Sequence, residues 1–140
     1  MSDTYNLNRF VTKHQEDYAN ALSEIQNGKK QSHWMWYIFP QLKGLGKSTM
    51  AEYYGMTSLP EAIAFLNHPL LGKNLKEITR ALLPQVASAR EIFGKPDDRK
   101  LHSSMTLFAL VDDDSLFQEV LDKFFDGKYD ERTLQLLEIR

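Results

Sequence analysis

Two short stretches concentrate the side chains that could do chemistry. The first is Ser32-His33-Trp34-Met35-Trp36-Tyr37-Ile38-Phe39-Pro40-Gln41-Leu42-Lys43-Gly44-Leu45-Gly46-Lys47-Ser48-Thr49. It sets an imidazole beside two indoles and ends in Gly-Lys-Ser, as a phosphate-binding loop does. Such a loop needs a glycine five positions before the second one, so that backbone N–H groups can wrap phosphates while the lysine reaches the outer ones. Gln41 stands where that first glycine belongs, Pro40 precedes it, and no βαβ pattern follows. A simpler anion site survives that test. Gly44 and Gly46 can form a tight loop and Lys47-Ser48-Thr49 can open a helix, whose free N–H groups with Lys47 and Ser48 would receive a phosphate or carboxylate. The plainer alternative is that the glycines only turn the chain and Ser48 or Thr49 caps the helix.

On a helix starting at Ser32, residues His33, Trp36 and Tyr37 share a face, because steps of three and four return to one side. A pocket wall follows from that placement: Trp34 or Trp36 stacks on a planar ring, and His33 supplies a proton or a hydrogen bond. The competing reading is an aromatic core with one satisfied histidine. The second stretch, Lys100-Leu101-His102-Ser103-Ser104-Met105, follows Asp97. Asp97, Lys100 and Ser104 fall on one helical face at i, i+3 and i+7, with His102 and Ser103 displaced around the helix. If that helix is central, each buried polar group must find a partner in the protein or on a ligand. A salt bridge from Asp97 to Lys100, with serines bonding back to carbonyls, would also satisfy them.

The candidate catalytic residues are therefore His33, Asp97 and Ser104. The candidate ligand contacts are Trp34, Trp36, Gln41, Gly44, Gly46, Lys47, Ser48, Lys100, His102 and Ser103. Ser103 and Ser104 beside His102 make no triad by adjacency, since helix neighbours point apart, and no Gly-x-Ser-x-Gly elbow supports nucleophilic catalysis. The histidines His14, His33, His68 and His102 lie in separate segments, and there is no cysteine. No metal site is signalled by spacing, and no cofactor is expected.

With 140 residues, 42% of them hydrophobic, the chain suits one domain, residues 1–140, with a single core. Its 17 basic residues are balanced by 19 acidic ones. That balance leaves no field to hold a nucleic-acid backbone or an anionic membrane, so neither is expected as a partner. The polar start, the lack of a long apolar run and the absence of cysteine together favour a soluble, cytoplasmic protein.

The elements that must position these residues read as helices. Phe10 to Ile25 has helical apolar spacing and a stop at Asn27-Gly28. His33 to Phe39 is apolar nearly all round, with Ser32 as N-cap and Pro40 as stop. Thr49 to Tyr54 makes one or two turns, and Ser58-Leu59-Pro60-Glu61 opens a helix that ends near His68. Leu71, Leu75, Ile78, Leu82 and Val86 form an amphipathic stripe that Pro84 kinks or divides, closed at Gly94. Pro96-Asp97-Asp98 opens the central helix. Leu116 to Phe125 makes another, ending at Gly127, and Thr133 to Ile139 a last short one. Only Trp34 to Phe39 and Met105 to Val111 compete as strands, too few for a sheet. The expectation is all-α, a compact single-domain bundle of about six to eight short helices.

The run from Gly28-Lys29-Lys30-Gln31 through Gln41, then Gly44-Leu45-Gly46, then Lys100 to Phe108, with His68-Pro69-Leu70-Leu71-Gly72 and Ile92-Phe93-Gly94 between them, resembles the bacterial domain-of-unknown-function family numbered 1810 over nearly the whole chain. The resemblance implies a mainly helical single domain and no established activity. A fainter similarity to the helical glycosidases associated with NAD and ADP-ribose suggests, for an enzyme, hydrolysis of an ADP-ribose-like molecule. The functional expectation is a pocket between residues 29–49 and 97–106 for a small anionic or aromatic ligand. Its rival is a non-catalytic interaction or regulatory module.

Overall fold

The computed structural model describes residues 3–138, and within them the chain forms nine helices and no sheet. These are α1 (Asn8–Gln26), α2 (Met35–Ile38), α3 (Thr49–Tyr54), α4 (Leu59–Asn67), α5 (Leu71–Arg80), α6 (Ala89–Phe93), α7 (Asp97–Val111), α8 (Leu116–Phe125) and α9 (Glu131–Leu136). The all-α expectation holds. The count exceeds the expected range because the segment from Leu71 to Phe93 is divided into two helices, α5 and the five-residue α6, which starts afresh at the Ser88 cap.

Local chemistry sets most of the starts. Ser48, Ser58, Ser88 and Asp130 each stand just before a helix and accept a hydrogen bond from the N–H three residues on. That bond satisfies one of the donors a helix N-terminus leaves free. Ser88 goes further: the Glu91 carboxylate returns a bond to the Ser88 N–H, closing a capping box readable as Ser-x-x-Glu.

Helix α7 is the axle. Its Leu101, Met105, Leu107 and Phe108 are fully buried, and α4, α6, α8 and α9 all pack on it. On the other side α1 packs on α2 and α5, and α5 reaches back to α8. Between α4 and α5 the chains come so close that a Cβ on Gly72 would lie 1.9 Å from the Leu66 carbonyl oxygen, so no side chain is possible there. A single parallel bridge, Leu42 to Met56, pins the loop after α2 to the turn after α3. It brings Gly55 against Lys43, where a Cβ would sit 2.6 Å from the Lys43 Cα.

Three expectations need correction. The helix expected from Ser32 begins only at Met35, and Ser32 does not cap it; its hydroxyl is donated to Glu24 instead. The stripe from Leu71 is buried through Leu82 but not at Val86, which is fully exposed. The helix has ended at Arg80, and Pro84, which has no N–H to give to a carbonyl four residues back, cannot continue it. The last helix starts two residues earlier than expected, at Glu131, because Asp130 caps it; its expected end at Ile139 lies outside the described residues.

Candidate functional site

The loop from Gly28 to Trp34 carries the first candidate stretch, and it is folded around one carboxylate. Glu24, in the last turn of α1 and 8% exposed, accepts hydrogen bonds from the Gln31 N–H (2.6 Å), the Ser32 N–H (2.9 Å), the Ser32 hydroxyl (2.7 Å), Trp34 Nε1 (3.0 Å) and Asn20 Nδ2 (2.8 Å). Burial alone would raise the Glu24 pKa, but these donors outweigh it and hold the carboxyl down at about 2. The second buried ionisable group of α1 is His14. Its Nε2–H donates to the Tyr37 carbonyl (2.8 Å), and its Nδ1 accepts from Asn74 Nδ2 (3.1 Å). Desolvation lowers its pKa to about 4, against the bond to Tyr37, so the ring is neutral at pH 7. It thereby ties α1 to α2 and α5. Tyr37 also donates its hydroxyl to Asp17.

Outward from this hub a chain of charges reaches α7. Lys30 Nζ lies 5.0 Å from the Trp34 ring centre, donates to the Ser32 carbonyl and pairs with Asp97 Oδ2 at 2.9 Å. Asp97 Oδ1 takes a second ammonium, Lys100 Nζ, at 3.3 Å. Lys100 in turn sits 5.2 Å above the Trp36 ring. Here the chain opens into a small cleft lined by Trp36, Gln41, Tyr54 and Lys100 over Met35 and Phe39. Its volume is about 10 Å³, close to the space one water occupies. Burial raises the Tyr54 pKa, keeping that hydroxyl protonated as a donor. Among the described residues neither the Gln41 amide nor the Tyr54 hydroxyl has a hydrogen-bond partner, unlike the donors around Glu24.

The expected site residues separate into two sets. Trp36, Gln41 and Lys100 meet at the cleft, and Asp97 holds Lys100 from behind. Trp34 is buried and its N–H is spent on Glu24, which leaves the half-buried Trp36, under Lys100, as the indole that lines the cleft. His33 lies outside α2 on the exposed loop, and its carbonyl accepts from the Tyr37 hydroxyl. Gly44 and Lys47 are exposed and Gly46 half-buried, between the bridge and α3. The Ser48 hydroxyl accepts from the Ala51 N–H at 3.0 Å, the capping role, on a helix of only six residues. Ser104 is fully buried one turn along α7 from Lys100.

His102 and Ser103 face elsewhere, into the seam between α7 and α9. The Ser103 hydroxyl donates to Asp130 (2.9 Å), Thr106 Oγ1 accepts from the Asp130 N–H (2.9 Å), and the Thr133 hydroxyl donates to the same Asp130 carboxylate (2.5 Å). His102 stacks on Phe125 with ring centres 4.1 Å apart and donates Nε2–H to the Lys128 carbonyl. The unusual polarity of this helix is thus largely consumed in anchoring the C-terminal segment. A shallow groove of about 610 Å³ runs beside it, past His102, Phe125, Tyr129 and Glu131.

Sequence reasoning did not single out Glu24, Lys30, Tyr54 or His14. A signal existed for two of them: Phe10, His14, Ala21 and Ile25 step along one helical face, which makes His14 a buried position, and Glu24 adjoins that face. Nothing local marks Lys30 for its pairing with Asp97 or Tyr54 for its place at the cleft, since both are set by segments distant in the chain.

Among the described residues no three His, Asp or Glu side chains converge as metal ligands would, and no helix is long and apolar enough to cross a membrane. No curated protein matches the chain. The crystal structure of the conserved hypothetical protein Rv1873 from Mycobacterium tuberculosis, at 1.38 Å, is similar to it throughout: 46% identity and a TM-score of 0.95, over 99% of this chain and 100% of that one. The helices, the Glu24-bound loop and the cleft at α7 all lie within residues 4–137, the span that matches the family described as Protein of unknown function (DUF1810), and the chain belongs to that family.

Proposed function

We propose that the protein binds a small ligand combining a planar ring with an anionic group, of the kind found in nucleotides and ADP-ribose, at the cleft between Trp36 and Lys100. The observation that carries this reading is the stacked pair itself: an ammonium 5.2 Å above a half-buried indole, with two further hydrogen-bonding groups, Gln41 and Tyr54, left without protein partners beside it. Clefts that orient a ligand usually combine an apolar wall with a few convergent polar groups. With room for about one water, the cleft admits a ring only when the Lys100 stem swings off Trp36. The ring then takes the ammonium's place on the indole, and the ammonium pairs with the anion. Asp97, shared with Lys30, holds Lys100 near enough to do so. A cysteine-free chain suits this work in the reducing cytoplasm.

Thermal-shift screening against AMP, ADP-ribose, sugar phosphates and nicotinate tests the reading. A ligand at a hundredfold excess over its Kd should stabilise the native state by about 2.7 kcal/mol, a shift of several degrees. Quenching of Trp36 fluorescence should accompany it and vanish in Trp36→Phe, while buried Trp34 reports no change. Silence across the panel would defeat the proposal and favour an interaction module.

A further inference from the structure

Gln41 lines the cleft from a backbone that the fold holds on both sides. Its carbonyl accepts from the Met56 N–H at 2.9 Å, and two residues on the Lys43 N–H donates to the Met56 carbonyl at 2.8 Å, so the parallel bridge clamps it. Phe39 and Leu42, both buried, anchor the chain before and after it, and the ring of Pro40 restricts the backbone just ahead. The side chain is placed as well. A Cβ on Gly46 would meet Gln41 Nε2 at 3.5 Å, an ordinary contact, so the amide lies against the Gly46 backbone. That amide is half-buried and has no protein partner among the described residues. It presents a donor and an acceptor side by side in one plane. The other polar groups of the cleft select less: the Lys100 ammonium only donates, and the Tyr54 hydroxyl rotates and can both donate and accept.

Building on the ligand cleft proposed above, we infer that Gln41 selects the ligand's ring, and that this ring is a fused nitrogen heterocycle with a hydrogen-bond donor and an acceptor on adjacent edge atoms, as in 6-amino- and 6-oxopurine nucleotides. The ring lies on Trp36, whose own fused rings match a purine in width. The anion pairs with Lys100, and the ring's edge meets Gln41, which lines the same small cleft. A planar amide joins such an edge through two parallel hydrogen bonds, and turned over it accepts the reverse order of donor and acceptor. In a 6-aminopurine the acceptor N1 stands beside the donor amino group. In a 6-oxopurine the donor N1–H stands beside the acceptor oxygen. A purine bare at that position leaves half of the amide unpaired and cut off from water, the penalty by which a hydrogen-bonding site rejects an analogue lacking the group.

The test uses isothermal titration of the full chain with AMP, IMP and purine riboside 5′-monophosphate, on wild type, Gln41→Met and Tyr54→Phe. The three probes share the fused ring and the phosphate and differ only along the edge in question. Wild type should bind AMP or IMP at least about tenfold more tightly than the bare purine, and the tighter of the two shows which way the amide faces. Gln41→Met keeps the length of the side chain and should bind all three within about threefold of one another. Tyr54→Phe should keep the wild-type order. Equal affinity of wild type for all three probes would overturn the inference while leaving the cleft reading standing. A preference that survives Gln41→Met, or one that disappears in Tyr54→Phe instead, would do the same. Wild-type protein that binds none of the three would also overturn the inference, and the cleft reading falls with it only if ADP-ribose, sugar phosphates and nicotinate leave the melting temperature unmoved as well.

Discussion

The two ends of the Lys30–Asp97–Lys100 chain differ in how completely their polar groups are matched. At the Glu24 end, five donors meet one carboxylate and the loop that carries Trp34 has no freedom left. At the Trp36 end, an amide, a phenol and an ammonium surround a cleft with only Asp97 to share. Both ends set an indole beside polar side chains, and Trp34 and Trp36 are only two residues apart. What distinguishes scaffold from site is the balance of donors and acceptors. A balanced cluster fixes geometry, and an unbalanced one has capacity for something else.

Breaking the balanced end should produce the largest effect. Glu24→Ala removes the acceptor for two backbone N–H groups and the Trp34 indole in a buried setting. Stability should fall by about 3 to 5 kcal/mol, read as a lower urea midpoint. If the loss were under about 1 kcal/mol, the loop would be held by Lys30 and the aromatic contacts instead, and the contrast with the cleft would collapse.

His14 gives the same end a pH signature. Its folded pKa of about 4 lies below the ordinary 6.5, so the unfolded chain takes up the proton first as pH falls. The contribution of the neutral ring is fully present above pH 6.5 and is lost progressively down to about 4, amounting to about 3 kcal/mol. Glu24 acts later, its depressed pKa withdrawing stability as pH falls from about 4.5 toward 2. Urea unfolding at pH 7 and pH 4.5 should show most of the His14 loss in wild type. His14→Gln, which cannot titrate, should be less stable at pH 7 but nearly flat across that interval.

These two groups also show what the sequence made legible. Helix periods, serine caps and glycine stops were visible because each is written within four residues, and they located most of the nine helices. Asp97 and Lys100 were readable as a pair for the same reason, three residues apart on one helix. The Glu24 hub was not, because its ligands are mostly loop N–H groups, which every residue but proline carries and no pattern announces. The misplacement of Ser32 followed directly, since a serine before an apolar run looks like a cap whether or not a buried carboxylate takes its hydroxyl. The cleft was half legible: Trp36, Gln41 and Lys100 stood among the candidates, but only tertiary packing could separate them from Trp34, His33 and Lys47.

The seam between α7 and α9 is an intermediate case, balanced but at the edge of the fold. Asp130→Ala removes the cap of α9 and leaves the Ser103 and Thr133 hydroxyls without their shared acceptor. A loss of about 2 kcal/mol is expected. Hydrogen exchange should localise it to α9, with the amides of α7 still protected.

The smallest effect on stability should come from the unbalanced end, and there it is the most informative. Lys100→Met keeps an apolar stem of similar length against Trp36 and removes one of two ammonium groups on Asp97, whose bond to Lys30 at 2.9 Å remains. Stability should therefore stay within about 0.5 kcal/mol of wild type, because Asp97 keeps an ammonium partner and the apolar stem on Trp36 is preserved. Binding of an anionic planar ligand, by contrast, should weaken at least tenfold, because the charge meant for the ligand is gone. The opposite result, a large loss of stability with ligand binding intact, would make Lys100 part of the scaffold. The chain from Glu24 to Trp36 would then be one balanced network with no site at its end.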